Sequence, residues 1–299
     1  MTELPLLFDK ADLPLHPLTP EKNFKSLQYP VWSEDKAKLI QEYLRLFTFI
    51  TKHGIYIDGF SAPQQRSMAE ICSARLVMET EPKRIKTFWL CDLDPKGIEL
   101  LRAIAGADKT PKRRIEIREG DFNLVLPEIL ASGCITSKTA TFALLDQRTF
   151  ECSWQTVQAL SRYKSTLDPQ ATKIEIFYFF ATGWLDRSIA AVSRPQTTAK
   201  LESWWGRPDW RQLQGMQGVP RAKMLADRFK SELGYKYAHP YAIHSRRRHG
   251  RTMYHMIHAT DHAEAPLLML RAYRKISGRP EIDPASTQVD MAELWRDVQ

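Results

Sequence analysis

Four aspartates fall at or just after the carboxyl ends of four successive predicted strands: Asp58, Asp92, Asp121 and Asp146. In a parallel sheet those ends share one edge, so the four side chains converge on one crevice. A nucleoside ligand needs such groups. A carboxylate after the second strand accepts both ribose hydroxyl protons, and one after the third meets the amino group of a base. S-adenosylmethionine (SAM) is cationic at its sulfonium and at its amino group, so an acidic floor suits it. Acids in strand-to-helix loops also serve as N-caps, and Asp94, followed by Pro95, is a better cap than site. Four acids in register favour the shared crevice.

Other chemistry is thinner. Cys72, Cys91, Cys134 and Cys152 show no CxxC or Cys/His ligand spacing, which argues against zinc and against a disulfide framework. Six of the eight histidines lie between His239 and His262. His255 and His258 are three apart on a predicted strand, face opposite ways and cannot jointly chelate a metal, so no metal site is expected. His262, just beyond that strand, is within reach of the crevice edge. No P-loop spacing occurs, which disfavours a nucleotide hydrolase. Arg246, Arg247, Arg248 and Arg251 mark a predicted hairpin tip, a positive finger of the kind that contacts phosphate. Trp204, Trp205 and Trp210 read as core or as a stacking platform for bases.

The elements that carry these residues begin with Ile55–Pro63, a strand running into Asp58-Gly59 and small or turn-forming residues. A helix with Ser33 as N-cap precedes it, Leu39, Ile40, Tyr43, Leu44, Phe47 and Ile50 recurring at helical spacing and Gly54 standing as the stop. A helical pattern follows over 67–78. Further strands are expected over 86–91, 114–118, 140–145 and 173–180, with helices over 96–104 and 153–163. Residues 182–237 read as a helical insertion or cap. A hairpin over 241–245 and 253–260 and a helix over 266–277 complete the core begun at 31–181. The prolines at 5, 14, 17, 20 and 30 predict an irregular arm over residues 1–30. Strand–helix alternation closed by a hairpin predicts an α/β, Rossmann-like class I methyltransferase architecture. Its sheet would be seven-stranded and mostly parallel, with an antiparallel edge.

The totals set the remaining bounds. The 299 residues are 43% hydrophobic and 26% charged, ordinary for a folded globular chain. A net charge of +8 keeps an acidic partner such as nucleic acid in view. The absence of a signal peptide and of an apolar run of membrane-spanning length predicts a cytoplasmic protein with no membrane attachment.

With those residues in place, the chain resembles the three-Cys-motif partner (TcmP) family over roughly Val31 to Tyr273. The likeness rests on Trp32…Lys36…Tyr43, on Tyr56-Ile57-Asp58-Gly59-Phe60 and on Leu90-Cys91-Asp92-Leu93-Asp94-Pro95. It continues through Gly120-Asp121-Phe122-Asn123, Trp205-Gly206-Arg207-Pro208-Asp209-Trp210 and Tyr254-His255-Met256-Ile257-His258-Ala259-Thr260. The resemblance implies a bacterial or phage-associated, SAM-dependent methyltransferase-like protein and a partner carrying three cysteines, of iron–sulfur type. It implies cofactor-edge positions for Asp58, Asp92 and Asp121; Gly59, Phe60 and Phe122 beside them are further candidate cofactor contacts, and Asp146 is expected nearest the acceptor as orienter or general base. Two departures stand out. Ala62 and Gln64 replace the glycines of the family's Phe-Ala-Gly-x-Gly, and Asp146-Gln147-Arg148-Thr149-Phe150 replaces its Asp-Pro-x-Gly. Two readings follow. One is an enzyme methylating nucleic acid or a modified nucleoside; the other is a non-catalytic module on the same fold that binds nucleic acid or the partner.

Overall fold

The computed structural model describes residues 31–63, 66–191, 195–245 and 250–277. The arm expected over 1–30, Gln64 and the arginines Arg246, Arg247 and Arg248 therefore lie outside the described residues.

Helix α1 (Val31–Thr51) leads into β1 (Gly54–Asp58), a short 3-10 turn (Arg66–Ile71) and α2 (Ser73–Glu79). Next come β2 (Ile85–Asp92), α3 (Pro95–Ala107), β3 (Arg114–Glu119), α4 (Phe122–Ala131), β4 (Thr141–Leu145), α5 (Trp154–Leu167) and β5 (Glu175–Phe180). The segment after β5 holds α6 (Leu185–Ala191), α7 (Pro195–Trp205), a 3-10 turn (Pro208–Leu213) and α8 (Gly218–Ser231). The chain then forms the hairpin β6 (Tyr237–His244) and β7 (Thr252–Thr260), followed by α9 (Ala265–Ser277).

The seven strands lie in the order β3-β2-β1-β4-β5-β7-β6. Neighbours from β3 to β5 pair in parallel, and β7 runs antiparallel to both β5 and β6. This is the class I methyltransferase fold expected from the strand–helix alternation. β1, β4 and β5 are buried along their whole length, because helices cover both faces of a parallel sheet and demand continuous apolar strands. The edge strand β3 instead alternates Arg114-Ile-Glu-Ile-Arg-Glu119, whose charges discourage pairing with another chain. At the other edge β6 tolerates Pro240, whose missing N–H a central strand would need. One core packs Ile57, Trp89, Leu145 and Tyr178 under α4, α5 and α8. The other packs Tyr56, Phe88, Phe142 and Phe177 under α1, α2, α3 and α9.

Three local expectations need correction. α1 begins at Val31, so Ser33 lies inside the helix rather than capping it. Its stop is Lys52, at φ +65° with its N–H bonded to the Thr48 carbonyl at 3.0 Å, and Gly54 already belongs to β1. The helix expected over 67–78 is broken at Cys72 into a 3-10 turn and the short α2.

Candidate functional site

The reversal in strand order falls between β1 and β4, the place where open α/β sheets leave a crevice at their carboxyl edge. Asp58 ends β1 there, opposite Leu90 of β2 and Leu144 of β4. It is 1% exposed. One carboxylate oxygen accepts from the Tyr56 hydroxyl at 2.9 Å and the other from the Phe60 N–H at 3.2 Å. Burial pushes its pKa up to about 7; these two donors pull it down, and the charges of Asp146 and Asp92 push it up again. Asp58, Asp92 and Asp146 thus share one electrostatic neighbourhood. Gly59 makes this corner compact, since a Cβ there would lie 2.8 Å from the Phe122 ring. Phe60 packs on the same ring, 6.0 Å between centroids.

The loop after Asp58 shows how the chain does without glycine at position 62. Ser61 anchors it to β2, its N–H and its hydroxyl both donating to the Cys91 carbonyl at 2.8 and 2.9 Å. The Ala62 N–H donates to Asp92 at 2.8 Å. Among the described residues only Lys52 and Lys112 are non-glycines at positive φ, so Ala62 sits in ordinary backbone. Its methyl fills the space left by Gly97 in the first turn of α3, where a second Cβ would come within 2.3 Å. Asp92 also accepts from the Asp94 N–H at 2.9 Å, and each of its oxygens keeps a lone pair for a further donor.

Asp121 caps α4. One oxygen accepts from both the backbone N–H (2.9 Å) and the side-chain amide (2.7 Å) of Asn123. Its second oxygen has no partner among the described residues, which leaves an acceptor for an amino group at the carboxyl end of β3. Asn123 ties the cap to the start of α5, donating to the Glu151 carbonyl at 2.8 Å and accepting from the Ser153 N–H at 2.9 Å. The cap and site readings of Asp121 are therefore compatible. Asp94 acts as the expected N-cap of α3.

Asp146 follows β4 and is ion-paired with Lys36 of α1. Burial raises the Asp146 pKa, and the charge and hydrogen bond of Lys36 oppose that rise. The ammonium of Lys36 also stands 6.0 Å over the Tyr254 ring. Sequence reasoning gave Lys36 no role, although positions 36, 40, 43 and 47 share one face of a helix and a lysine among Ile40, Tyr43 and Phe47 is the sign of a side chain aimed inward. Gln147 is buried and closes the turn, accepting from the Cys152 N–H at 2.8 Å and donating to the Phe179 carbonyl at 3.4 Å. Arg148 points to solvent.

The remaining candidates separate from this crevice. Trp204, Trp205 and Trp210 are at most 2% exposed and belong to the core, which removes the stacking platform. Arg228 is held between Trp154 and Trp205, its guanidinium 4.2 and 4.0 Å from the ring centroids. Arg251 is exposed; the other arginines of the finger are outside the described residues. His255 and His258 face opposite sides as expected: His255 meets the Thr182 hydroxyl at 2.6 Å and His258 meets Glu175 at 2.9 Å. His262 is a correction. β7 is antiparallel, so its end lies at the amino edge of the sheet, away from the crevice. Among the described residues no cluster of His, Cys, Asp or Glu is placed to hold a metal, and no helix is long and apolar enough to cross a membrane.

No family model matches the chain, and no curated protein matches it. Among solved structures it resembles a Legionella pneumophila protein of the DUF519 family, at 10% identity and TM-score 0.42, over 82% of this chain and 92% of that one. It also resembles a candidate methyltransferase from Thermobifida fusca, at 11% identity and TM-score 0.41, over 76% of this chain and 79% of that one. Neither likeness is close enough to carry an activity across, and the class I methyltransferase fold rests on the strand order itself.

Proposed function

We propose that the chain is a SAM-binding, methyltransferase-like protein of the three-Cys-motif partner type. The observation that carries this reading is the set of acids at the carboxyl edge: Asp58, Asp92 and Asp146 beside the switch point and Asp121 on the next strand, the last with an unused oxygen. The residues present fit the cofactor's groups. Asp92 takes the ribose hydroxyls, Asp121 the adenine amino group, and Gly59, Phe60 and Phe122 form the wall between them. SAM bound there supplies a methyl group on a cationic sulfur. Asp146 orients an acceptor or takes its proton, and the protein's part is mainly to hold the two in line. The acceptor class we propose is nucleic acid or a modified nucleoside, and the partner an iron–sulfur protein with three cysteines. Titration calorimetry with SAM and with S-adenosylhomocysteine tests the cofactor. We expect saturable heat that is lost in Asp92→Ala and weakened in Asp121→Ala; no heat with either ligand would end the cofactor reading.

A second reading is favoured by one feature. Asp146 is engaged by Lys36 and its neighbour Gln147 is committed to the turn, as suits a module that binds nucleic acid or the partner without transferring methyl groups. Saturable cofactor binding with no methyl transfer to RNA, DNA or nucleosides, in the presence of the three-cysteine protein, would select it.

A further inference from the structure

The amino edge of the sheet, opposite the crevice, holds a small hollow that opens to solvent. It lies where β4 and β5 begin and where β7 ends, between the last turns of α1 and the first turn of α9. Phe47, Ile50 and Leu268 give it apolar walls, and Ile50 is 44% exposed at the mouth. Its floor is charged: Lys164 and Glu175 both line it, at 1% and 5% exposure.

Hydrogen-bond capacity on that floor is unevenly used. The Glu175 carboxylate accepts from the Tyr43 hydroxyl, from His258 at 2.9 Å and from the Thr260 hydroxyl at 2.8 Å. About three of the roughly four acceptor sites of a carboxylate are thus filled. Lys164 donates only to the Thr139 carbonyl among the described residues. An ammonium carries three donors, so two have no protein acceptor among the described residues. Burial holds Lys164 down to about 8, while Glu175 pulls it up. The nearest rim charges, Lys173 and Asp261, are already paired with each other at 3.2 Å. The floor therefore lacks acceptors more than donors, beneath a pocket whose walls are apolar.

We propose that this cavity binds a small organic carboxylate with an apolar body, its anionic head on Lys164 and its body between Phe47, Ile50 and Leu268. The site is separate from the crevice and does not depend on the cofactor reading.

Benzoate titrated into the full-length chain at pH 7, followed by ligand-observed NMR, tests it, with benzyl alcohol as the neutral control. Benzoate should bind saturably and at least about tenfold more tightly than benzyl alcohol, because only the anion forms a charge-assisted pair with the ammonium. Lys164→Met should cut benzoate affinity by about tenfold or more. Leu268→Trp, at the half-exposed rim, keeps Lys164 and should abolish benzoate binding by filling the pocket; it decides the matter if the Met variant does not fold. Absence of saturable benzoate binding overturns the proposal. So does equal affinity for benzyl alcohol, or benzoate affinity unchanged in a folded Lys164→Met or Leu268→Trp protein.

Discussion

Asp58 makes the folding equilibrium depend on pH. Its folded pKa is about 7 against an ordinary 3.8, so the folded chain holds this proton more tightly than the unfolded chain. Stability from this group is complete below about pH 4 and is lost as pH rises through about 7; the full shift corresponds to about 4 kcal/mol. His255 has the opposite sign. Burial lowers it to about 3, so the unfolded chain takes up its proton first and stability falls as pH drops below about 6.5. Wild type then changes little between about pH 4.5 and 6.5, where the two effects offset. Asp58→Asn, which keeps only the His255 effect, should gain stability steeply over that range. Urea denaturation of both proteins at intervals of pH measures this, and parallel curves would rule out a shifted Asp58. Lys36 gives a companion test. Lys36→Met leaves the Asp146 carboxylate without its cation, so its pKa climbs further and the loss of stability grows as pH rises. We expect a cost of about 1–3 kcal/mol at pH 8 and less at pH 5, with Lys36→Arg restoring most of it. A cost equal at both pH values would mean that Lys36 acts by packing alone.

At the scale of elements, the Ala62–Gly97 contact locks the first crevice loop to the start of α3. Gly97→Ala would bring two methyl carbons to 2.3 Å, an overpacking expected to cost about 1–3 kcal/mol despite alanine's better helix propensity. Ala62→Gly alone should cost under about 1 kcal/mol. The double variant should recover most of the Gly97→Ala loss, a coupling that a double-mutant cycle on thermal or chemical unfolding reads directly. Strict additivity would show that the two residues do not share the space. This contact also explains where sequence reading stopped. The alanine at 62 was visible in the chain, but the glycine it packs against is thirty-five positions away on another element, and only the fold brings the two together. The strands were legible because Ile55-Tyr56-Ile57 and Ile176–Phe180 are apolar runs that a parallel sheet must bury. The helix ends were less so, since Lys52 at φ +65° violates the preference that makes Gly54 the natural guess. The acids of the crevice were legible from their place after strands. Lys164 and Glu175 were not, because each is a single charge in an otherwise ordinary pattern; Lys36 stood on the apolar face of α1, but its partner Asp146 comes only from the fold.

The two proposed sites fall on opposite edges of the sheet, the acids on the carboxyl edge and the Lys164 cavity on the amino edge, while the net charge of +8 acts on any partner. An excess of that size favours polyanions without choosing among them, so the discriminating measurement is the salt dependence of binding rather than affinity. If the hairpin tip between β6 and β7 delivers the charge, Arg246, Arg247, Arg248 and Arg251 each neutralise a phosphate, and each contributes about 0.7 to the slope of log K against log salt on single strands. Replacing all four by Ala should then flatten the slope by nearly 3 units and weaken single-stranded RNA binding most at low salt. The crevice should be indifferent: S-adenosylhomocysteine affinity stays the same in that variant, because the tip carries none of the acids. Fluorescence anisotropy with a labelled oligonucleotide at four salt concentrations gives the slope. An unchanged slope would move the contact to a different basic surface; Arg114 and Arg118 on the β3 edge, which lie 5.7 and 5.1 Å over Trp89, are the next pair to replace.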